Sequence, residues 1–227
     1  MKDNTLAKLG SICSILVGIS YIVVGVTYVL LPVEQGAGGS SGSKFLASVA
    51  QNPTMLIIEY WAFALGAILA IAAVLAISES VRSANDGWVR WTSNLAIIGF
   101  AVTSINFFRL LANVPGRAAA FATGDAAIKV ILAATQADLD LDPNGWLGFG
   151  FVGFWVLVVS LLALRGSTLP KLLAYDGIAV AIAYWLVVAG YVLGIGTLVA
   201  IAAGLGGVIL APIWYIWAGL HLRRASS

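Results

Sequence analysis

The amino-acid sequence predicts an all-α, polytopic membrane protein, a single domain over residues 1–227 with six transmembrane helices and both termini in the cytoplasm. Of its 227 residues, 61% are apolar and 10% are charged, whereas an average soluble domain is about 45–50% apolar and about 25% charged. A soluble fold of this length has too little interior to bury so much apolar surface. The apolar residues also form continuous runs instead of the alternation typical of a β-barrel, which favours helices.

Six apolar runs have the length of about 20 residues that a helix needs to cross a hydrocarbon core of about 30 Å. They cover residues 9–31, 55–78, 89–112, 146–164, 172–195 and 197–222. The last two belong to one stretch, residues 177–220, that carries no charged side chain. A single helix over that stretch would be about twice as long as the membrane is thick. The stretch must therefore turn back, and Gly194-Ile195-Gly196-Thr197 is the breaker near its middle.

The distribution of lysine and arginine over the short connections predicts the orientation of the chain. Eight of these residues lie on one side of the predicted membrane and four on the other. The larger set is Lys2, Lys8, Arg82, Arg90, Arg165, Lys171, Arg223 and Arg224, and the smaller set is Lys44, Arg109, Arg117 and Lys129. Because cytoplasmic loops carry the excess of positive charge, both termini are expected in the cytoplasm, with the protein in the plasma membrane.

Two connections on the outer side are long. Residues 32–54 contain the glycine- and serine-rich stretch 36–43, which is typical of a flexible linker. Residues 113–145 are expected to form a structured outer loop with a short surface helix over 126–139, because Ile128, Ile131 and Leu132 would share one face. That helix would cap the bundle, or it would act as a lid or a partner-docking element.

The first and fifth runs are similar to each other when they are offset by 163 residues. The offset pairs Tyr21 with Tyr184 and Tyr28 with Tyr191. The deeper tyrosine of each run needs a hydrogen-bond partner inside the bundle, and the outer one suits the membrane interface. Duplication of a helix is one explanation of the similarity, and the shared apolar composition of the two runs is the other.

Three polar residues near the outer ends of the second and third runs form the best candidate site, which we call the Glu59 cluster. Glu59 and Arg109 lie at similar depth on antiparallel helices, and Asn106 is about one turn from Arg109. Ionisable residues are costly inside a membrane, so each is a site candidate. One interpretation is a buried ion pair that fixes helix register, or an Arg109 that reaches outward to water. The others are a binding site for a small polar group or lipid headgroup, and proton transfer through Glu59.

Asp176 and an acidic turn are further candidates. Asp176 lies in the first turns of the fifth run, where a carboxylate suits the positive end of the helix dipole. Arg165 or Lys171 would neutralise it, and it would act as a cap and loop anchor. Asp140, Asp142 and Asn144 reproduce the first half of a calcium-binding loop, D-x-D-x-N-G. The last position of that loop is Phe151, where a bidentate glutamate belongs, so an acidic turn is the simpler interpretation.

The scarce residue types exclude several cofactors. The chain has one histidine, His221, and one cysteine, Cys13. A haem with two histidine ligands and a zinc site of cysteines and histidines therefore cannot form within it, and no cofactor is expected. The formal net charge of +2 gives no reason to expect nucleic-acid binding.

Two stretches in the second half resemble a bacterial family. Gly153-Phe154-Trp155 is followed by an inner turn, Arg165-Gly-Ser-Thr-Leu-Pro170, and later by Ile213-Trp214-Tyr-Ile-Trp217. In these features residues 146–222 are similar to the bacterial domain-of-unknown-function family 4386, which comprises small multi-pass membrane proteins. The resemblance implies six spans and a bacterial plasma membrane, and it implies no activity and no functional residue.

The sequence favours a non-catalytic integral membrane protein, an accessory or structural subunit that packs against a larger membrane complex. Small residues four apart, such as Ala203 and Gly207, allow close packing of helices within the bundle or against another subunit. The alternative is a small transporter or binder of a lipid or apolar molecule that uses the Glu59 cluster. A lipid-modifying enzyme with Glu59 or Asp176 as acid or base is a third hypothesis. The expected partners are membrane lipids and other membrane subunits.

Overall fold

The computed structural model describes residues 4–36, 42–136 and 139–226, and the regular elements in these ranges are helices. They are α1 (Asn4–Leu30), α2 (Ser43–Gln51), α3 (Thr54–Val81), α4 (Asp86–Thr123), α5 (Ala126–Ala134), α6 (Val152–Gly166), α7 (Lys171–Val192), α8 (Gly196–Ala203) and α9 (Ala211–Ser226). A π-helical segment, Trp146–Phe151, leads into α6, and a second one, Gly204–Leu210, joins α8 to α9.

Six helical units are long and apolar enough to cross a membrane, which confirms the predicted architecture. Within the described ranges they are Thr5–Leu30, Thr54–Ala84, Asp86–Thr123, Trp146–Gly166, Lys171–Val192 and Gly196–Ala225. Six crossings bring the two ends of the chain to one side of the bundle, which we call the terminal side. The opposite side carries α2, α5 and residues 139–145, and we call it the cap side. The last two spans turn where the sequence predicts, because Gly194 has a φ of 67° and α8 begins at Gly196.

The six spans form a closed ring. α1 packs against α3 and α9, α3 against α4, α4 against α6, and α6 against α7, which contacts α8 and the π-helical segment after it. Glycines permit the closest of these contacts. An ideal Cβ on Gly10 of α1 would lie 2.0 Å from the Cβ of Ala76 on α3, so the two backbones touch in the way that small residues allow.

Large side chains fill the ring near the middle of the spans. Trp155 of α6, Tyr184 of α7, and Trp214 and Tyr215 of α9 are buried almost completely. The indole Nε1 of Trp155 donates to Ser78 Oγ at 2.9 Å, so this polar group keeps a partner in an apolar interior. The rings fill the interior of the bundle at that level.

The predicted outer connection over residues 32–54 contains a helix. α2 buries Leu46 and Val49, which lie on one face, against α4. Residues 37–41 of the predicted linker lie outside the described residues. α2 was not predicted because it has only nine residues, and so short a helix depends on tertiary packing more than on helix propensity.

α4 is longer and α5 is shorter than the sequence predicts. The third run was expected to end at residue 112, but α4 continues through Pro115 to Thr123. Val114 and Ala118 in this extension are buried in the same cluster as the apolar face of α2, and this packing outweighs the cost of a proline inside a helix. α5 ends at Ala134, and residues 137 and 138 of the predicted helix 126–139 lie outside the described ones.

α5 lies on the cap side, with a cap at its start and a hydrogen bond from α4 near its last turn. The Asp125 side chain accepts a hydrogen bond from the N–H of Ile128 at 2.9 Å, as a helix cap. Arg117 of α4 donates from Nη2 to the carbonyl of Leu132 at 2.9 Å. Ile128, Ile131 and Leu132 were predicted to share one face, but their surroundings differ. Leu132 packs against the α2–α4 cluster, whereas Ile131 is 62% exposed.

Candidate functional site: a cavity on the cap side

A cavity of about 290 Å³ lies inside the ring of spans, between the middle of the bundle and its cap side. Side chains from α1, α3, α4 and α7, from both π-helical segments and from residues 139–145 line it. Its aromatic lining residues, within the described ranges, are Tyr21, Tyr28, Tyr60, Phe63, Phe100, Phe107, Phe149, Tyr184 and Tyr191. Ligand pockets are mostly apolar and measure about 300–1,000 Å³, so the cavity has the size of a small-molecule pocket.

Tyrosines from the two similar helices, α1 and α7, form the floor of the cavity. The hydroxyl of Tyr184 donates to that of Tyr21 at 3.5 Å, and the Tyr21 ring stacks on Tyr215 with centroids 5.9 Å apart. This contact confirms the prediction that the deeper tyrosines find a partner inside the bundle. Tyr28 lies higher in the cavity wall, and its hydroxyl donates to the carbonyl of Ala200 at 3.1 Å.

Glu59 of α3 is one of the residues that line the cavity. The side chain is partly buried, and its Oε2 is buried without a hydrogen-bond partner among the described residues. The salt bridges in that part of the chain all lie where α3 ends and α4 begins, so the predicted Glu59–Arg109 ion pair is not among them. A buried carboxylate oxygen without a partner is costly, and water or a ligand has to supply the missing donor.

Gln35, which follows α1, is a second polar group in the cavity wall. It is 6% exposed, and its Nε2 donates to Ser48 Oγ at 2.9 Å and to the carbonyl of Asn52 at 3.3 Å. A backbone carbonyl only accepts hydrogen bonds, so the contact with Asn52 fixes the orientation of the amide. Its Oε1 is buried and has no partner within the described ranges. Sequence reasoning missed Gln35 because it lies beside a glycine-rich stretch that carries no signal of burial.

Asn106 also lines the cavity, and it binds the acidic turn. Its Nδ2 donates to Asp140 Oδ1 at 3.1 Å, and its Oδ1 accepts from the N–H of Leu141 at 2.9 Å. These two bonds hold residues 139–145 against the cap-side end of α4. Arg109, the third member of the predicted Glu59 cluster, is partly buried and is not among the described residues that line the cavity. The structure therefore brings Glu59 and Asn106 to one cavity without Arg109.

The acidic turn caps the start of the fourth span. Asp142 Oδ2 accepts from the N–H groups of Leu147 and Gly148 at 2.9 and 2.7 Å, and Asp140 Oδ1 accepts from the N–H of Asp142 at 2.9 Å. These bonds match the interpretation as a turn that leads into a helix. No group of three or more His, Cys, Asp or Glu side chains in the described part of the chain could hold a metal ion. The calcium hypothesis for Asp140, Asp142 and Asn144 stays a prediction.

Asp176 lies in a different region, near the terminal side of α7. α7 begins at Lys171 after Pro170, which is its N-cap residue, so Asp176 is beyond the first turn whose free N–H groups a cap would satisfy. The first turn of α7 holds no acidic residue, and the role of Asp176 as a cap and loop anchor stays a prediction. Asp176 Oδ2 is buried and has no hydrogen-bond partner among the residues described, and the residue is not part of the cavity wall.

The ionisable side chains in the cavity wall are acidic. Within residues 4–36, 42–136 and 139–226, the wall contains Glu59, Asp140 and Asp142 together with Tyr side chains, and it contains no Lys, Arg or His. Asp140 is exposed at the cap side, whereas Glu59 and Asp142 are partly buried. A cleft lined by one sign of charge with low-dielectric walls concentrates ions of the opposite sign.

Both π-helical segments border the cavity. Phe149 of the first segment and Gly207 and Val208 of the second line it. Short π-helical turns inside α-helices occur frequently at functional sites. An ideal Cβ on Gly207 would meet no atom within 4 Å, so Gly207 borders open space instead of a neighbouring helix. Gly207 therefore does not serve close helix packing within the described bundle, and its packing against another subunit stays a prediction.

These features define a multi-pass, all-α membrane protein with an acidic and aromatic cavity in one half of its bundle. The sequence matches the family described as "Domain of unknown function (DUF4386)" over residues 12–222, and the chain belongs to that family. The match extends the resemblance of residues 146–222 to nearly the whole chain. The comparison with curated proteins and the comparison with solved structures found no match.

Proposed function

We propose that this protein binds a small amphipathic molecule in the cap-side cavity, as a binder or transporter in the bacterial plasma membrane. The observation that carries the proposal is a pair of buried, unpartnered acceptors, Glu59 Oε2 and Gln35 Oε1, on two residues that line a cavity walled by aromatic rings. Buried polar atoms are nearly always hydrogen-bonded. Two unpartnered acceptors in one cavity therefore favour a bound molecule that supplies the donors.

The arrangement of the wall supports an amphipathic molecule. The stacked rings of Phe63 and Phe107, with centroids 4.4 Å apart, offer an apolar surface on the same side as Glu59. A polar end would contact Glu59 and Gln35, and an apolar body would lie against the rings. Ligand pockets generally combine apolar walls with a few convergent polar groups in this way.

The charge distribution supports an outward-facing cavity. Most lysine and arginine residues lie toward the terminal side, as the positive-inside rule expects of the cytoplasmic face. With both termini in the cytoplasm, the cap side faces outward. The molecule would then enter from the outer leaflet or from the space outside the cell.

The test fills the cavity without disturbing a helix contact. Gly207→Phe introduces a ring where no atom lies within 4 Å, and Gly116→Phe is the matched control, because Gly116 has equally free space but does not line the cavity. Both variants and the unchanged protein are purified in mild detergent from native membranes, and small molecules are extracted and identified by mass spectrometry. We expect one molecule to be enriched with the unchanged protein and with Gly116→Phe, and to be depleted with Gly207→Phe. Equal extracts from all three proteins would contradict the proposal.

The same purification separates this proposal from the accessory-subunit hypothesis. Packing against a larger complex does not require a cavity with unpartnered acceptors, which is why we favour the binder. Stoichiometric co-elution of other membrane subunits, without an enriched small molecule, would reverse that preference. A lone chain or homo-oligomer that carries one enriched molecule would support the binder.

A further inference from the structure

We propose that the cavity takes an organic cation, an ammonium group on an apolar body, with the Glu59 carboxylate as its counter-ion. This inference rests on the proposed function and specifies the chemical class of its ligand. Three independent features of the wall carry it: the sign of its charge, the kind of hydrogen bond it lacks, and its aromatic surface.

The charge of the wall selects the sign of the ligand. The described wall residues include three carboxylates and no basic side chain. Two of these carboxylates, on Asp140 and Asp142, already accept hydrogen bonds from Asn106 and from backbone N–H groups. Glu59 has no such partner for Oε2. An uncompensated carboxylate inside a membrane protein is unfavourable, and a cationic ligand would remove that cost.

The unpartnered atoms indicate that the ligand donates hydrogen bonds to the protein. Among the buried unpartnered atoms of the described residues, those in the cavity wall are Glu59 Oε2 and Gln35 Oε1. Both atoms are acceptors in the ionised carboxylate and the amide, and the Gln35 amide cannot exchange its Oε1 and Nε2 without losing the carbonyl of Asn52. The ligand must therefore bring donors. An ammonium group has three donors and no acceptor, whereas a carboxylate or phosphate brings only acceptors.

The aromatic wall is compatible with a cation and with an apolar body. Tyr60 and Phe107, beside Glu59 in the wall, have ring centroids 5.5 Å apart. A cation within about 6 Å of a ring centroid is attracted by the ring quadrupole, with an energy of about 0.5–2 kcal/mol. The rings thus add to the preference for a cationic ligand that Glu59 and Gln35 establish.

The test compares three probes that share one body and differ in charge: 4-phenylbutylamine, 4-phenylbutanol and 4-phenylbutanoate. Binding is measured by isothermal titration calorimetry on the full chain in phosphatidylcholine nanodiscs, whose zwitterionic surface concentrates neither ion. We expect the amine to bind about tenfold tighter than the alcohol, and the carboxylate to bind weakest. Glu59→Gln should abolish the difference between amine and alcohol. Glu79→Gln, the same change on an exposed residue of the same helix, should leave it intact.

The outcomes distinguish the two proposals. If amine and alcohol bind equally to the unchanged protein, or if the carboxylate binds best, the cation proposal is overturned while the binding function stands. If none of the three probes binds, both proposals are overturned. These comparisons on the unchanged protein hold even if a variant fails to fold.

A change in the lipid composition of the nanodiscs distinguishes a lipid headgroup from a free amine as the source of the ammonium group. Nanodiscs that also contain phosphatidylethanolamine present an ammonium headgroup with N–H donors, which phosphatidylcholine lacks. A weaker affinity for 4-phenylbutylamine in these nanodiscs would support the proposal with a lipid headgroup as the ligand. An unchanged affinity would support it with a free amine.

Discussion

Replacing Asn106 by alanine should detach the acidic turn from α4 and destabilise the protein by about 2 kcal/mol. The side chain donates to Asp140 at 3.1 Å and accepts from the N–H of Leu141 at 2.9 Å. A hydrogen bond contributes about 0.5–1.5 kcal/mol net, or about 1.5–3 kcal/mol when one partner is charged. Asp140 and Leu141 are both exposed, so water replaces the lost partner and the lower part of each range applies.

The matched control is Asn113→Ala, two turns later on the same helix. Asn113 is exposed, and its side chain donates one hydrogen bond, to the carbonyl of Arg109 at 2.7 Å, so its loss should change stability by no more than about 0.5 kcal/mol. The free energy of unfolding is measured by denaturant titration in mixed micelles, and hydrogen exchange of residues 139–145 is followed in parallel. Asn106→Ala should accelerate exchange of the Leu141 amide. Equal stability of the two variants with unchanged exchange at Leu141 would refute this reasoning.

Three further predictions test other contacts. Gly10→Val should lower the melting temperature sharply, because even its Cβ would lie 2.0 Å from a Cβ of α3, whereas Gly116→Val, in open space, should change it little. Arg117→Ala removes the bond from α4 to the carbonyl of Leu132, so limited proteolysis between residues 124 and 136 should accelerate while the melting temperature stays nearly constant. Glu59→Leu removes a buried, unpartnered carboxylate and should raise the free energy of unfolding of the ligand-free protein by about 1 kcal/mol. An unchanged melting temperature for Gly10→Val would contradict the first prediction, and unchanged cleavage for Arg117→Ala the second. A lower free energy of unfolding for Glu59→Leu would contradict the third.

The six spans could be predicted because the thickness of the bilayer sets the length of an apolar run. The turn between the last two spans could be predicted for the same reason, since the uncharged stretch is too long for one crossing and contains Gly194, which adopts a positive φ. The end of α4 could not be predicted in this way. Val114 and Ala118 continue the helix through Pro115 because they pack in one cluster with Leu46 of α2, and that contact joins residues far apart in the sequence.

The cavity itself could not be predicted, because the spans do not show which of their faces points inward. α3 is apolar around its whole circumference, so the periodicity that reveals a buried face is missing. Glu59 was identified because a charge inside a span is rare. Arg109 was predicted as its partner because the two residues lie at similar depth. Depth does not reveal that Asn106 lines the cavity while Arg109 is not among the described residues that line it. Gln35 reaches the cavity from a connection whose composition is typical of a linker.

Two groups of unpartnered polar atoms in the described chain differ in their chemistry. Near the terminal side, Ser160 Oγ and Trp214 Nε1 crowd around Gly177, where an ideal Cβ would lie 2.1 and 2.6 Å from them. A hydroxyl can accept from an indole N–H after a small shift, so these two atoms can satisfy each other. At the cavity, Glu59 and Gln35 both offer acceptors, and an ionised carboxylate makes no hydrogen bond with an amide oxygen. Added donors are required there. Water supplies donors, and so does an ammonium group, which has three donors and gains further from the surrounding rings.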